Sequence, residues 1–303
     1  MPLRLLARLS VLLAAVAAAA CGSGDGMGRV EDPFSGGYPM YRDGASGLEV
    51  IFGTPDLGTG EQRIAFAVLA RDGIVREASL PVTVRRRGER QAVTARYRPF
   101  PTGTRGVYVG AATFPEAGRY TLDVEVPREG KSVRLIFPVE VAVRPASKAA
   151  GDAAPPSRHR VAAEVASLAE LTTSTTPDPA LYRTRIADAL AARRPFVVVF
   201  ASPAFCTTPL CGPQVEDLSA LARDYAGQAE FIHVDLYENP HEIRGDLSRA
   251  RRTPVLAEWG LRTDEWTFVV GADGRVAARF EAYAPREEVE AALRDVLGRE
   301  ASR

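Results

Sequence analysis

Between residues 48 and 145 the apolar side chains fall at every second position, and beyond residue 160 they do not. That change of period constrains the fold more than any other feature of the chain. Tyr120, Leu122, Val124 and Val126 alternate with Thr121, Asp123 and Glu125, and Val133, Leu135, Phe137, Val139, Val141 and Val143 repeat the pattern. A period of two belongs to a strand with one face in a core. Further strands are expected over 64–69, 82–84, 92–97 and 107–112, punctuated at Asp72-Gly73, Arg87-Gly88, Glu116-Ala117-Gly118 and Glu129-Gly130. About seven short strands at this spacing predict an antiparallel β-sandwich.

Residues 146–160 (Ala-Ser-Lys-Ala-Ala-Gly-Asp-Ala-Ala-Pro-Pro-Ser and three more) read as a linker. Beyond it helices and strands alternate. A helix is expected over 179–193, with Asp178 as cap and Pro179 in its first turn. A buried strand over 196–201 follows, then a helix from Pro209 or Pro213 to 225 and a strand over 231–236. One or two short helices fit 240–259. A hairpin fits 266–270 and 275–280 around Ala272-Asp273-Gly274, and a closing helix fits 285–297. The order α-β-α-β-α-β-β-α is that of the thioredoxin fold, a mixed sheet covered by helices on both faces. The expected fold class is therefore two domains: an all-β immunoglobulin-like sandwich over 48–145 and an α/β thioredoxin-like fold over 161–303. The sandwich resembles the immunoglobulin-like modules of bacterial secreted proteins, some of them copper-handling. Residues 48–145 contain no His, Cys or Met, which argues against a copper site there.

The 303 residues carry 38 basic and 38 acidic side chains, so nothing favours a nucleic-acid partner. Arg4 and Arg8 precede an apolar run over 9–20 that is too short to span a bilayer. Ala18-Ala19-Ala20-Cys21-Gly22 resembles a bacterial lipoprotein cleavage box. The resemblance implies a signal peptide over 1–21, a lipid on Cys21 and an extracytoplasmic, membrane-anchored protein. An ordinary signal peptide cut after Ala-x-Ala is the alternative. Residues 22–47, rich in Gly, Ser, Asp and Pro, read as a flexible tether.

Chemistry concentrates in the cysteines. The chain has three, and if Cys21 carries lipid, Cys206 and Cys211 have only each other. They follow the strand at 196–200 and stand before or inside a helix, the layout of a thiol–disulfide site. The surrounding pieces carry a family resemblance: Pro-Asp-Pro-Ala-Leu-Tyr from Pro177, Phe-Ala-Ser-Pro-Ala-Phe-Cys from Phe200, Cys211-Gly-Pro, Glu238-Asn-Pro, Glu258-Trp-Gly-Leu and Trp266-Thr-Phe-Val-Val. Residues 174–280 are similar to a family of bacterial extracytoplasmic thioredoxin-like proteins. The resemblance implies thiol–disulfide exchange with exported proteins by a monomer without cofactor or metal. Cys206 would attack and Cys211 resolve. Phe205, Pro209, Glu265 and Trp266 would form the docking surface, with Phe205 in place of the usual Trp.

Three departures from thioredoxins stand out. Four residues separate the cysteines instead of two, the 197–200 strand lacks a buried acid, and Glu265 occupies the place of a cis-proline. On a continuous helix, residues five apart are turned by about 140° and separated by about 7.5 Å along the axis. A disulfide then needs a non-helical turn. Two other readings remain open. One is a non-catalytic binding module with a structural disulfide. The other is a thiol peroxidase, since Cys206-Thr-Thr-Pro-Leu-Cys211-Gly resembles the cysteine pair of bacterioferritin-comigratory-type peroxiredoxins.

Overall fold

The computed structural model describes residues 27–31, 36–101, 105–205, 208, 210 and 213–301. The protein is mostly β: a large eleven-stranded mixed sheet precedes a smaller α/β region with a four-stranded sheet and few helices.

The large sheet uses β1 (Gly28–Val30), β2 (Met40–Arg42), β3 (Glu49–Phe52), β4 (Leu57–Gly58), β5 (Gly60–Ala70), β6 (Gly73–Ile74), β7 (Ser79–Arg86), β8 (Glu89–Pro99), β9 (Gly106–Phe114), β10 (Gly118–Arg128) and β11 (Lys131–Ala142). Its order is β1-β2-β3-β5-β9-β8-β7-β10-β11-β4, with β6 beside β5, and only β11–β4 is parallel. The two-residue loops Arg87-Gly88 and Glu129-Gly130 all have positive φ, the twist that joins tight antiparallel strands. The β10–β11 register sets Tyr120 opposite Val139, Leu122 opposite Phe137 and Val124 opposite Leu135. The alternation in the sequence is thus one wall of the core.

The sheet curls until its ends meet. Tyr41 of β2 stacks on Phe137 of β11 with ring centroids 5.1 Å apart, and Phe52 of β3 lies 5.8 Å from the same ring. The Met27 amide donates to Ile136 O at 3.1 Å. These contacts correct the expected tether. Its described parts, 27–31 and 36–47, supply β1 and β2 and bury Tyr38, Met40 and Tyr41. The apolar residues there are too few for a visible period, yet enough to close the sheet.

The smaller sheet uses β12 (Phe196–Ala201), β13 (Glu230–Asp235), β14 (Trp266–Val270) and β15 (Val276–Glu281), in the order β13-β12-β14-β15. β12 runs parallel to β13 and antiparallel to β14. All six of its residues are buried, because both faces are covered. Val198 and Phe200 meet Ile232, Trp259 and Phe268 on one side, while Val197 and Val199 meet Leu218, Leu221 and Leu293 on the other. The helices are α1 (Ile186–Ala191), α2 (Gln214–Asp224), α3 (Pro240–Ile243), α4 (Val255–Trp259) and α5 (Arg286–Ala301).

The helix expected over 179–193 is broken. A 3-10 turn spans Pro179–Tyr182, capped by Asp178 at 3.0 Å, and α1 starts afresh after an extended Arg185. Tertiary bonds outweigh propensity here. Tyr182 turns inward to bond His233, and His159 Nε2 takes the first amide of α1.

Residues 146–160 are no loose linker. Gly151 N donates to Val276 O, Val276 N to Asp152 O and Ala154 N to Gly274 O, at 2.8–2.9 Å. Trp259 Nε1 donates to the buried Ser157 hydroxyl at 3.1 Å. Small residues let this strap lie flat against β15, and the same residues mimic a linker in composition.

Two arginines clamp the regions together. Arg63 of β5 donates to Glu288, to Glu281 O and to Tyr283 O at 2.8–3.0 Å. Arg279 of β15 donates to Asp56 and to Gln62 Oε1. Both side chains are only 15% exposed.

Candidate functional site

The strand β12 delivers the chain to the C-terminal end of the small sheet, and residues 202–213 connect it to α2. Crevices at such strand ends are the usual ligand positions of α/β sheets. Cys206, Pro209 and Cys211 lie outside the described residues, as does Cys21. The helix α2 opens at Gln214, so both cysteines precede it in sequence, and the Pro213 start is the one adopted.

The near wall of the connection is a polar cluster. The Thr173 amide and hydroxyl both donate to Asp235 Oδ2, at 2.7 and 2.9 Å. Thr173 Oγ1 also lies 3.0 Å from the Ser202 hydroxyl and accepts from Ala204 N at 3.2 Å. Asp235, at the end of β13, is buried. Burial pushes its pKa up to about 6, against the pull of those hydrogen bonds. Two residues earlier, His233 Nε2 donates to Ala201 O at 3.0 Å, so its Nδ1 accepts from the Tyr182 hydroxyl at 2.8 Å. Burial lowers its pKa to about 4, and the ring is neutral. Beyond these residues opens a cleft of about 540 Å³ lined by His159, His241, Arg160, Arg251, Tyr237 and Asp235 among others.

The far wall is formed where α2 meets the turn after β15. Gln214 Oε1 accepts from Ala284 N at 2.8 Å, and Asp217 Oδ2 accepts from the Tyr283 hydroxyl at 2.8 Å. Burial raises the pKa of Asp217. Leu210 is fully buried, and its carbonyl accepts from Tyr283 N at 3.2 Å.

The expected docking residues separate into two groups. Phe205 is half-buried, its ring edge-on to Tyr237 at 5.9 Å. Glu265 and Trp266 are 1% and 0% exposed, which corrects their expected contact with a client. Trp266 donates to Thr263 O at 3.1 Å and Thr263 Oγ1 at 3.0 Å, and stacks on Phe268 at 5.8 Å. Glu265 has φ of +61°, and its carbonyl accepts from Ala282 N at 2.9 Å. The sheet lobe closes over this corner. Tyr38 donates to Asp264 O, while Glu281 accepts from Thr263 Oγ1 at 2.6 Å and from Asp56 N at 3.0 Å. Burial pushes the Glu281 pKa up to about 8.

Sequence reasoning missed Asp235, Glu281 and Asp217. For Asp235 and Glu281 the available signal was an acid as the last residue of a strand, in Phe231-Ile-His-Val-Asp235 and in Phe280-Glu281; Asp217, inside a helix, left none. Among the described residues no group of three or more His, Cys, Asp or Glu is arranged to hold a metal, and no helix is long and apolar enough to cross a membrane.

No family model matches the chain, and no curated protein matches it. Among solved structures it is similar over a limited stretch to a DUF4785 family protein from Legionella pneumophila. The match has 13% identity and a TM-score of 0.22, and covers 36% of this chain and 29% of that one.

Proposed function

We propose that the protein is an extracytoplasmic thiol–disulfide oxidoreductase, tethered to a membrane through lipid on Cys21 and acting on exported proteins through Cys206 and Cys211. In this reading the sheet lobe is an immunoglobulin-like module and the α/β region a thioredoxin-like domain. The observation that carries it is the place of the pair in the chain. The cysteines belong to the connection from the buried central strand to the start of α2, and a buried carboxylate, Asp235, with its pKa pushed up to about 6, ends the neighbouring strand β13.

The exchange conserves electrons and protons. The Cys206 thiolate attacks a client disulfide, whose S–S bond breaks as one client thiolate leaves and takes a proton. Cys211 then gives up its proton and attacks the mixed disulfide, which closes Cys206–Cys211 and releases the second client thiol.

The burial of Leu210 between the cysteines favours a second reading, a structural disulfide in a binding module. One titration separates the two. The full chain is equilibrated in glutathione buffers without denaturant, and free thiols are alkylated and counted. Exchange activity predicts a reduction potential above about −300 mV. A pair that stays oxidised throughout overturns the oxidoreductase.

A further inference from the structure

Glu281 ends β15 at the seam between the two regions, and its carboxyl group bridges that seam. Oε1 accepts from Thr263 of the smaller region at 2.6 Å, and Oε2 accepts from the Asp56 amide of the sheet lobe at 3.0 Å. The group is buried, and among the described residues no cation is bonded to it. The two guanidinium groups nearby are spent elsewhere. Arg279 donates to the Asp56 carboxylate and carbonyl, to Ser147 Oγ and to Gln62 Oε1, at 2.6–3.0 Å. Arg63 donates to Glu288 and to the carbonyls of Glu281 and Tyr283. The other ionisable groups at the seam are acidic or phenolic. They are Asp56 from the sheet lobe, Asp264 and Glu265 from the loop before β14, and Tyr38, which donates to Asp264 O. Asp264 is itself paired with Arg252 at 3.0 Å, and its amide donates to Gly36 O at 2.9 Å. A cleft of about 610 Å³ between the two regions is lined from both sides and reaches Asp56 and Glu281.

We propose that Glu281 is a pH-sensitive latch between the two regions, closed while its carboxyl group carries a proton and loosened once it ionises. The protonated group leaves the seam with no charge to solvate. The ionised group would stand beside the Asp56 carboxylate with no guanidinium bonded to it, and both burial and like charge oppose that. Water entering from the cleft relieves the charge by parting Glu281 from Asp56, which loosens the corner at 263–265. Burial pushes the Glu281 pKa up to about 8, so the closed seam holds the proton more tightly than an open one, where the ordinary value near 4.5 applies. The closing constant is therefore undiminished below about pH 4.5, falls by up to about tenfold per pH unit above it, and levels off beyond pH 8. The latch is independent of the cysteines and of the exchange reading.

Amide hydrogen exchange of the full chain tests the latch. The Asp56 amide, bonded to Glu281, and the Asp264 amide, bonded to Gly36 O, report the seam, while the amides of β10 report unfolding of the chain. Each rate is divided by that of an unstructured peptide at the same pH, which removes base catalysis by the solvent. The seam amides are expected to be less protected than those of β10 at every pH, and their protection is expected to fall about a hundredfold from pH 6 to pH 8. Glu281→Gln, which cannot ionise, is expected to remove that fall. If this variant does not fold, the parent carries the test through Trp266, whose indole N–H donates to Thr263 Oγ1. Its indole proton resonance is expected to titrate with a midpoint near pH 8. The inference is overturned if the seam amides are as protected as those of β10, since the seam then opens only when the chain unfolds. It is equally overturned if their protection changes less than about threefold between pH 6 and pH 8, if Glu281→Gln keeps the fall, or if Trp266 does not titrate.

Discussion

The two regions bury different things. Among the described residues, the large sheet encloses an apolar interior, and it buries few polar side chains: Thr54, and Asp123 on the face opposite Leu122 and Val124. Asp123 is answered by the guanidinium groups of Arg85 and Arg134. The smaller region buries Asp217, His233, Asp235, Glu265 and Glu281, most of them near the ends of its strands. Buried ionisable groups are costly and gather where chemistry needs altered proton affinities. The contrast is one of content: apolar packing in one region, buried ionisable groups in the other.

The sharpest way to break this contrast is to damage the apolar region first. Phe137→Ala removes the ring on which Tyr41 and Phe52 pack, and should cost about 3–5 kcal/mol in urea unfolding. A cost below about 1 kcal/mol would mean that β1–β3 do not close the sheet. Glu281 tests the other region. Its folded pKa, near 8, exceeds its ordinary value near 4.5, so the folded state holds the proton more tightly. Stability contributed by that proton is full below about pH 4.5 and is lost as the pH rises through 8. Glu281→Gln should therefore raise stability at pH 8 relative to pH 5, by on the order of 2–4 kcal/mol. An unchanged pH profile would show that Glu281 titrates in water. The smallest effect belongs to the exposed Arg119–Glu140 pair across β10 and β11. Arg119→Ala should leave the urea-unfolding midpoint unchanged, and a measurable drop would show that surface charge helps to hold the sheet.

The same contrast explains how far the sequence could be read. Strands β7, β8, β10 and β11 were legible because one face is largely buried and the other more open, which writes the period into the residues. The all-apolar run at 196–201 marked a strand covered on both sides. Strands β1 and β2 left no such trace, since three residues each cannot show a period. The Cys-x4-Cys pair was visible as spacing. The enclosure of Glu265 and Trp266 was not, because the lid over them comes from Tyr38 and Asp56, more than two hundred residues away in the chain. Likewise, a hydrogen bond from Tyr182 to His233 broke a helix whose local pattern was sound.

Gly260, the cap just beyond α4, adopts φ of +72°, and any Cβ there would stand 2.1 Å from Ala146 O. The crossing chain thus rests directly on the helix end, and Lys148 N donates to Trp259 O at 3.2 Å. For anyone grafting a different module upstream, the natural splice point is therefore not in the alanine-rich stretch. It falls a few residues earlier, at the solvent-facing Val143, and a graft that trims past Ala146 would strip the recipient of its own wall.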